Sequence, residues 1–472
     1  HLFRTLYSRP LQMINTLMRA AVVSLATFSF ASSAFSADPP VLKEERFDVR
    51  ENAEVIATLT ASCEGCDWGR AGYEAAALRL SIDGRYAQHL FLTRGSAKAE
   101  YSVLLGSFQK GTHTLSVSLD PVASSPKTQA ASVSKLHFKN VTATQPDYAA
   151  VSLAPIIFAR PNTVGHFTDT PLFMWYETDK TDRGSRIRYS VIFSNEDGGT
   201  PADRLLATWG RLTDIEYVYG IEFDQNGKVL EETFQGKDHE IVNFSGKREG
   251  RHPLLYVVTD NNMVRDSGTT SQRYAPAPVG FDLTNVSREE VMDKNPWMYA
   301  VTAKEARREG RVNPNATPGS KTIVDPTRYA VAEICTAADD TTFATFTFSI
   351  GVSQDHVVRY YDSTGGVPEY RISRSPDNFP NSCFRGAVAL PKGTRSSDVA
   401  SVRVSAHARM ARKGEPAPPK DAGPARLRRI NKVFLMSSAD LPEASVFSWT
   451  GETLLPLDGA PATLEVTSTS KK

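Results

Sequence analysis

The sequence has little of what marks several functional classes. Its formal charge is only +1, which excludes a nucleic-acid binder working by bulk positive charge. Four cysteines in 472 residues are too few for a small disulfide scaffold, and 40% hydrophobic with 23% charged residues excludes a disordered chain. Beyond residue 37 no apolar run approaches the roughly 20 residues that cross a bilayer. There is no GxSxG elbow, no HExxH, no GxxxxGK[ST] loop and no GxGxxG after a strand. Those absences argue against an α/β-hydrolase, a gluzincin-type protease, a P-loop NTPase and a dinucleotide enzyme. No internal repeat stands out.

What is present reads first as an address. Residues 13–37 combine Arg19, an apolar core over 20–30 and small residues before Asp38. That is the pattern of a secretory signal peptide. Cleavage is expected after Ser36 or Ala37, with residues 1–12 lying upstream of the true start at Met13. The protein is therefore expected to be secreted or periplasmic, with no membrane span in its mature part. All four cysteines follow the leader, and an even number in an exported chain favours disulfides. The expected bonds are a local one, Cys63 to Cys66, and one joining Cys335 to Cys383.

The architecture reads as mainly β, with tandem sandwich-like domains. Gly and Pro punctuate short runs rich in Val, Phe, Tyr and Thr. An N-terminal sandwich is expected over 38–145, a central β domain over 146–285, one or two short, largely exposed helices within a linker at 286–325, and a C-terminal β domain over 326–472. Ser287 to Glu290 is a capping-box signature for the first helix, and 411–429 reads as an exposed loop. In the central domain Ile215, Tyr217, Tyr219, Ile221 and Phe223 alternate on one strand, which assigns Asp214, Glu216 and Glu222 to its opposite face.

Chemistry-bearing residues gather in that central domain, at the ends of expected strands, where loops present functional side chains. Asp214 and Glu216 stand two residues apart on one strand, about 6–7 Å between their backbones. Such a pair suits glycoside hydrolysis, with Glu216 and either Asp214 or Asp197 as acid and base. It equally suits ion pairing with a neighbour such as Arg188, which with Asp260 is also a candidate ligand contact. Asn195, Glu196, Asp197, Asp260 and Asn262 supply hard oxygen ligands on loops, the donor type that Ca²⁺ takes. His252, before Pro253, is a candidate acid or base, and His239, between Asp238 and Glu240, a candidate ligand contact. Both histidines also fit purely structural hydrogen bonding. Trp209 and Trp68, beside Gly and Arg, are candidate platforms for sugar rings. Asn140, Asn243, Asn285 and Asn315 each open an N-x-[ST] sequon.

Two resemblances add to this. The phrase from Val103 to Leu115, VLLGSFQKGTHTL, resembles the edge of immunoglobulin-like and carbohydrate-binding sandwich modules. Leu153-Ala154-Pro155 with its following apolar residues, then Arg188 to Phe193, Thr213 to Val218 and His252 to Val257, run in an order that resembles the vacuolar protein sorting-associated family numbered sixty-two, over about 150–262. The resemblance implies a β-rich domain and draws attention to Asp214 and Glu216, but supplies no reaction. Ile215 stands where that family has an aromatic, and Thr259 to Asn262 replace its Gly-Ser-His, so no role of that histidine carries over. The combined expectation is an exported protein that binds, and in one form hydrolyses, an extracellular polysaccharide or oligosaccharide through the central acids. The alternative is a non-catalytic binding or structural protein stabilised by calcium, at the surface or in the periplasm.

Overall fold

The strands pair into three two-sheet sandwiches, in chain order, in a computed structural model that describes residues 40–128, 130–196, 198–337, 344–373, 383–409 and 423–466. The expected leader and Asp197 lie outside the described residues. In the first sandwich, the strands Val41–Val49, Gly111–Asp120, Ala77–Ile82 and Arg85–Phe91 form one sheet, and Ala99–Phe108, Ala53–Glu64 and Ala130–Thr142 the other. In the second, six strands ordered Ile241–Asn243, Val229–Gln235, Asp214–Asp224, Gly184–Phe193, Pro171–Thr181 and Pro278–Gly280 face a sheet built around His252–Val257 and Ile156–Phe158. In the third, Cys383–Ala389, Tyr329–Ala337, Ala425–Leu435 and Phe447–Leu455 face Val357–Asp362, Ala344–Gln354, Val399–Ala408 and Ala462–Glu465. The expected mainly β, sandwich-like architecture is thus what the chain adopts. Residues 39–472 cluster as one unit.

Each sandwich closes over its own apolar core because alternate residues of facing strands point between the sheets. The second core includes Met174, Ile187, Tyr189, Val191, Phe193, Val218, Tyr219 and Ile221. Both expected disulfides form. Cys63 bonds to Cys66, and Cys335 bonds to Cys383 directly across paired strands.

Several local expectations are corrected. The strand Ala425–Leu435 starts inside the stretch expected to be loop. Two helices, Glu290–Asp293 and Trp297–Arg308, occupy the linker, but the second is not exposed: Met298, Tyr299, Val301, Thr302, Ala303, Glu305 and Ala306 are buried. No capping box forms at Ser287, whose hydroxyl donates to Glu333 instead, at 2.7 Å. A helix not expected from the sequence, Ala202–Trp209, lies on the strand Cys383–Ala389. Gly386 permits that approach, since a Cβ there would stand 2.7 Å from the Ala207 carbonyl oxygen and 2.6 Å from the Phe348 ring.

The correction that governs the site is a β-bulge. Tyr189 pairs with Tyr219, but Ser190 pairs with Tyr217, leaving Val218 as an extra residue. The bulge reverses the facing of the strand's first half. Glu216 pairs with Val191 and Asp214 with Phe193, both core residues between the sheets. Directly paired residues share a face, so the two acids point into the sandwich.

Candidate functional site

The acids meet partners from three other segments at one end of the central sandwich. Asp214 is 3% exposed and Glu216 8%. The Asp214 carboxylate accepts from Asn262 Nδ2 at 2.9 Å and is hydrogen-bonded to Glu216. Burial pushes the Glu216 carboxyl well above its ordinary value, and the Asp214 charge beside it adds to the effect. Burial also raises Asp214, against the pull of Arg211 and Asn262. Two carboxyls bonded to each other share one proton, and the larger push assigns it to Glu216.

Glu196 joins them from the loop after the strand Gly184–Phe193. Burial first, then the Asp214 charge, pushes its carboxyl up to about 7. Its Oε1 accepts from the Thr200 backbone N–H at 2.7 Å. Gly199, at φ +146°, lets the loop close around that oxygen, which would lie 2.5 Å from a Cβ there. Arg311 Nη1 donates to Asn195 Oδ1 at 2.8 Å and to the Glu196 carbonyl at 2.5 Å. Arg211 donates to Glu289 at 3.1 Å and to the Thr213 carbonyl, close enough for its charge to act on Asp214 and Glu216. Asn195 Nδ2 and Asn262 Oδ1 are buried without a hydrogen-bond partner among the described residues.

Asp214, Glu216, Glu196, Asn195 and Asn262 are therefore brought together, and Asp260 lies at the rim, where it accepts from Arg160 at 2.7 Å. No group of three or more His, Cys, Asp or Glu among the described residues is placed to hold a metal ion. The other expected residues lie elsewhere. Arg188 pairs with Asp179 at 2.7 Å on the outer sheet face and does not partner the two acids. His239 sits beyond the strand Val229–Gln235, where its Nδ1 accepts from Gln235 at 2.5 Å. His252 is 1% exposed and bridges two sandwiches, with Nδ1 against the Ala154 carbonyl at 2.9 Å and Nε2 against Glu54 at 3.0 Å. Trp209 packs against the last core, and Trp68 is fully buried rather than a platform.

Sequence reasoning passed over a further buried acid, outside this cluster. Glu305 of the helix Trp297–Arg308 is 0% exposed. Its Oε2 accepts from Trp68 Nε1 of the first sandwich at 2.8 Å, and its Oε1 from Thr168 Oγ1 of the second at 3.1 Å. Burial pushes this carboxyl up to about 7 as well, assisted by the charge of Glu309. Its signal was a charged residue in the helical stripe of Met298, Val301 and Thr302.

No protein-family model and no curated protein matches the chain, so the resemblance over 150–262 rests on its quoted phrases alone. Among solved structures, the chain is similar to the C-terminal domain of EclA, described as a sugar-binding protein. That match has 18% identity over 21% of this chain and 68% of the other, with a TM-score of 0.17. It is also similar to a GH2 β-galacturonidase from Eisenbergiella tayi bound to galacturonate, at 11% identity over 33% of this chain and 22% of that one, TM-score 0.14. At such scores neither likeness bears on what this chain does.

Proposed function

We propose that this chain is an exported protein that binds an extracellular polysaccharide without cleaving it. The observation that carries the choice is the placement of Asp214 and Glu216 inside the sandwich, on one strand and hydrogen-bonded to each other. A glycosidase sets its two carboxyls on opposite sides of the scissile bond, about 5–10 Å apart. Two acids sharing one proton between packed sheets behave as a single buried unit carrying one negative charge, and the small cavities beside His252 and Arg160 include neither. The binding half of the reading draws on the expected leader, the two disulfides and three successive sandwiches, an architecture that serves ligand display by analogy.

The test incubates the mature protein with soluble polysaccharides, measuring reducing-end release and retardation in polysaccharide-containing native gels, with Glu216→Gln alongside. Retardation without release, unchanged in the variant, is the expected result. Release that the variant loses would overturn the reading and make the pair catalytic.

A further inference from the structure

The outer face of the last sandwich's sheet of Val357–Asp362, Ala344–Gln354, Val399–Ala408 and Ala462–Glu465 is polar. Two rows of directly paired residues cross four strands. One row runs Tyr360, Gly351, Ser401, Glu465, and the other Asp362, Ser349, Arg403, Thr463. Paired residues share a face, and at about 4.8 Å per strand each row spans about 14 Å. Small residues keep the middle of this shelf low. A Cβ on Gly351 would stand 2.4 Å from Ser401 Oγ and 2.9 Å from the Tyr360 ring, so the ring packs against the glycine. Its hydroxyl is hydrogen-bonded to Ser401 Oγ at 2.8 Å. The Arg403 guanidinium then lies over the ring, 3.3 Å from its centroid. A planar, weakly hydrated cation is thereby held in place as the top layer of the shelf.

The charges along this face decide what it suits. Arg403 Nε is buried and has no hydrogen-bond partner among the described residues. In the same row Asp362 accepts from Ser349 Oγ at 3.2 Å through Oδ2, while its Oδ1 accepts from the Thr364 N–H at 2.8 Å and hydroxyl at 2.6 Å, which leaves Oδ2 as the oxygen facing the row. Donor and acceptor thus stand apart with a serine between them, and Glu465 is exposed at the end of the neighbouring row. One cation between two carboxylates disfavours an anionic polymer. It does suit adjacent hydroxyls of an uncharged sugar, one accepting from the guanidinium and the next donating to the carboxylate.

We infer that this face is the polysaccharide-binding surface, and that Arg403 and Asp362 grip neighbouring hydroxyls of an uncharged glycan chain lying across the four strands. The inference rests on the carbohydrate-binding reading above and supplies its site. Affinity electrophoresis with galactomannan, xyloglucan and pullulan, and with alginate as the anionic polymer, tests it. Arg403→Ala and Asp362→Asn should each weaken retardation by a neutral polymer about tenfold, as expected for losing a hydrogen bond to a charged group. Glu216→Gln should leave it intact. Ser349→Trp fills the shelf while keeping both charges, and should weaken retardation too. Unchanged retardation in all three face variants would overturn this assignment and leave the binding function standing. Retardation by alginate alone would overturn the uncharged-ligand assignment. Absence of retardation by every polymer would overturn both readings.

Discussion

Glu196 and Glu305 hold protons more tightly in the folded chain than out of it, each being pushed from the ordinary 4.5 up to about 7. Stability linked to such a group is fully present below its unfolded value and is lost as pH rises through the folded one. Asp293 and Asp325 run the other way. Arg385 and Lys432 at Asp293, and Arg307 with Thr327 at Asp325, outweigh burial and hold these carboxyls down at about 2, so their contribution is lost only as pH falls toward that value. The melting temperature should therefore peak near pH 5 and decline toward pH 8. Glu305→Gln keeps an acceptor for Trp68 Nε1 but cannot ionise, and should remove roughly 1–3 kcal/mol of that decline. Thermal melts of parent and variant from pH 4 to 8 check this; a parent that gains stability over pH 5 to 8 would contradict it. At this scale the sequence was partly legible. The residue types at 195, 196, 214, 216 and 262 announced a polar cluster, and they do converge. Their burial was not legible, because Glu289 and Arg311 come from segments distant in sequence, and only packing brings them to the cluster.

Between elements, the helices at 290–308 are fixed to the last sandwich by charge rather than by apolar packing alone. Arg385 is fully buried and donates to Glu333 at 2.7 Å, to Asp293 at 2.6 Å and to the Tyr299 hydroxyl at 3.0 Å, while Lys432 donates to Glu290 at 2.5 Å. Removing one member strands buried charge. Arg385→Met should cost about 3–5 kcal/mol in denaturant melts, and a cost within 1 kcal/mol would mean that the network relaxes without it. The two disulfides should differ in the same assay. Cys335 and Cys383 close 48 residues, and Cys63 and Cys66 only 3. Loop-closure entropy makes the first worth about 4 kcal/mol and the second under about 2 kcal/mol. Paired Cys→Ala variants that show equal losses would remove that ordering. Strand alternation was readable for Gly184–Phe193, whose Ile187, Tyr189, Val191 and Phe193 are buried as expected. It misled for Asp214–Asp224, because one bulged residue inverts every facing before it. The helix Ala202–Trp209 had its signal in plain view: Ala202, Leu205, Leu206 and Trp209 at helical spacing, then Gly210 in the left-handed conformation at φ +64°.

Across the whole molecule, three sandwiches meet through buried polar contacts that none of them completes alone. His252 of the second bonds to Glu54 of the first, both 1% exposed. Glu305 accepts from Trp68 of the first and Thr168 of the second, and its helix continues the linker that Arg385 of the third binds. Opening any one junction strands polar groups on both sides of it, and each stranded group costs about 1–3 kcal/mol. Sandwiches coupled this way should melt together, so scanning calorimetry of residues 38–472 should give one transition. Trp68→Phe keeps the ring's bulk but removes the donor to Glu305. It should lower the midpoint by an amount equivalent to about 1–3 kcal/mol while leaving a single peak. Two resolved peaks in the parent would show that the junctions are too weak to couple the units. The same variant separates scaffold from surface. Trp68 lies in the first sandwich and Arg403 on the outer face of the last, so Trp68→Phe should lose stability without losing retardation by a neutral polysaccharide, and Arg403→Ala should do the reverse.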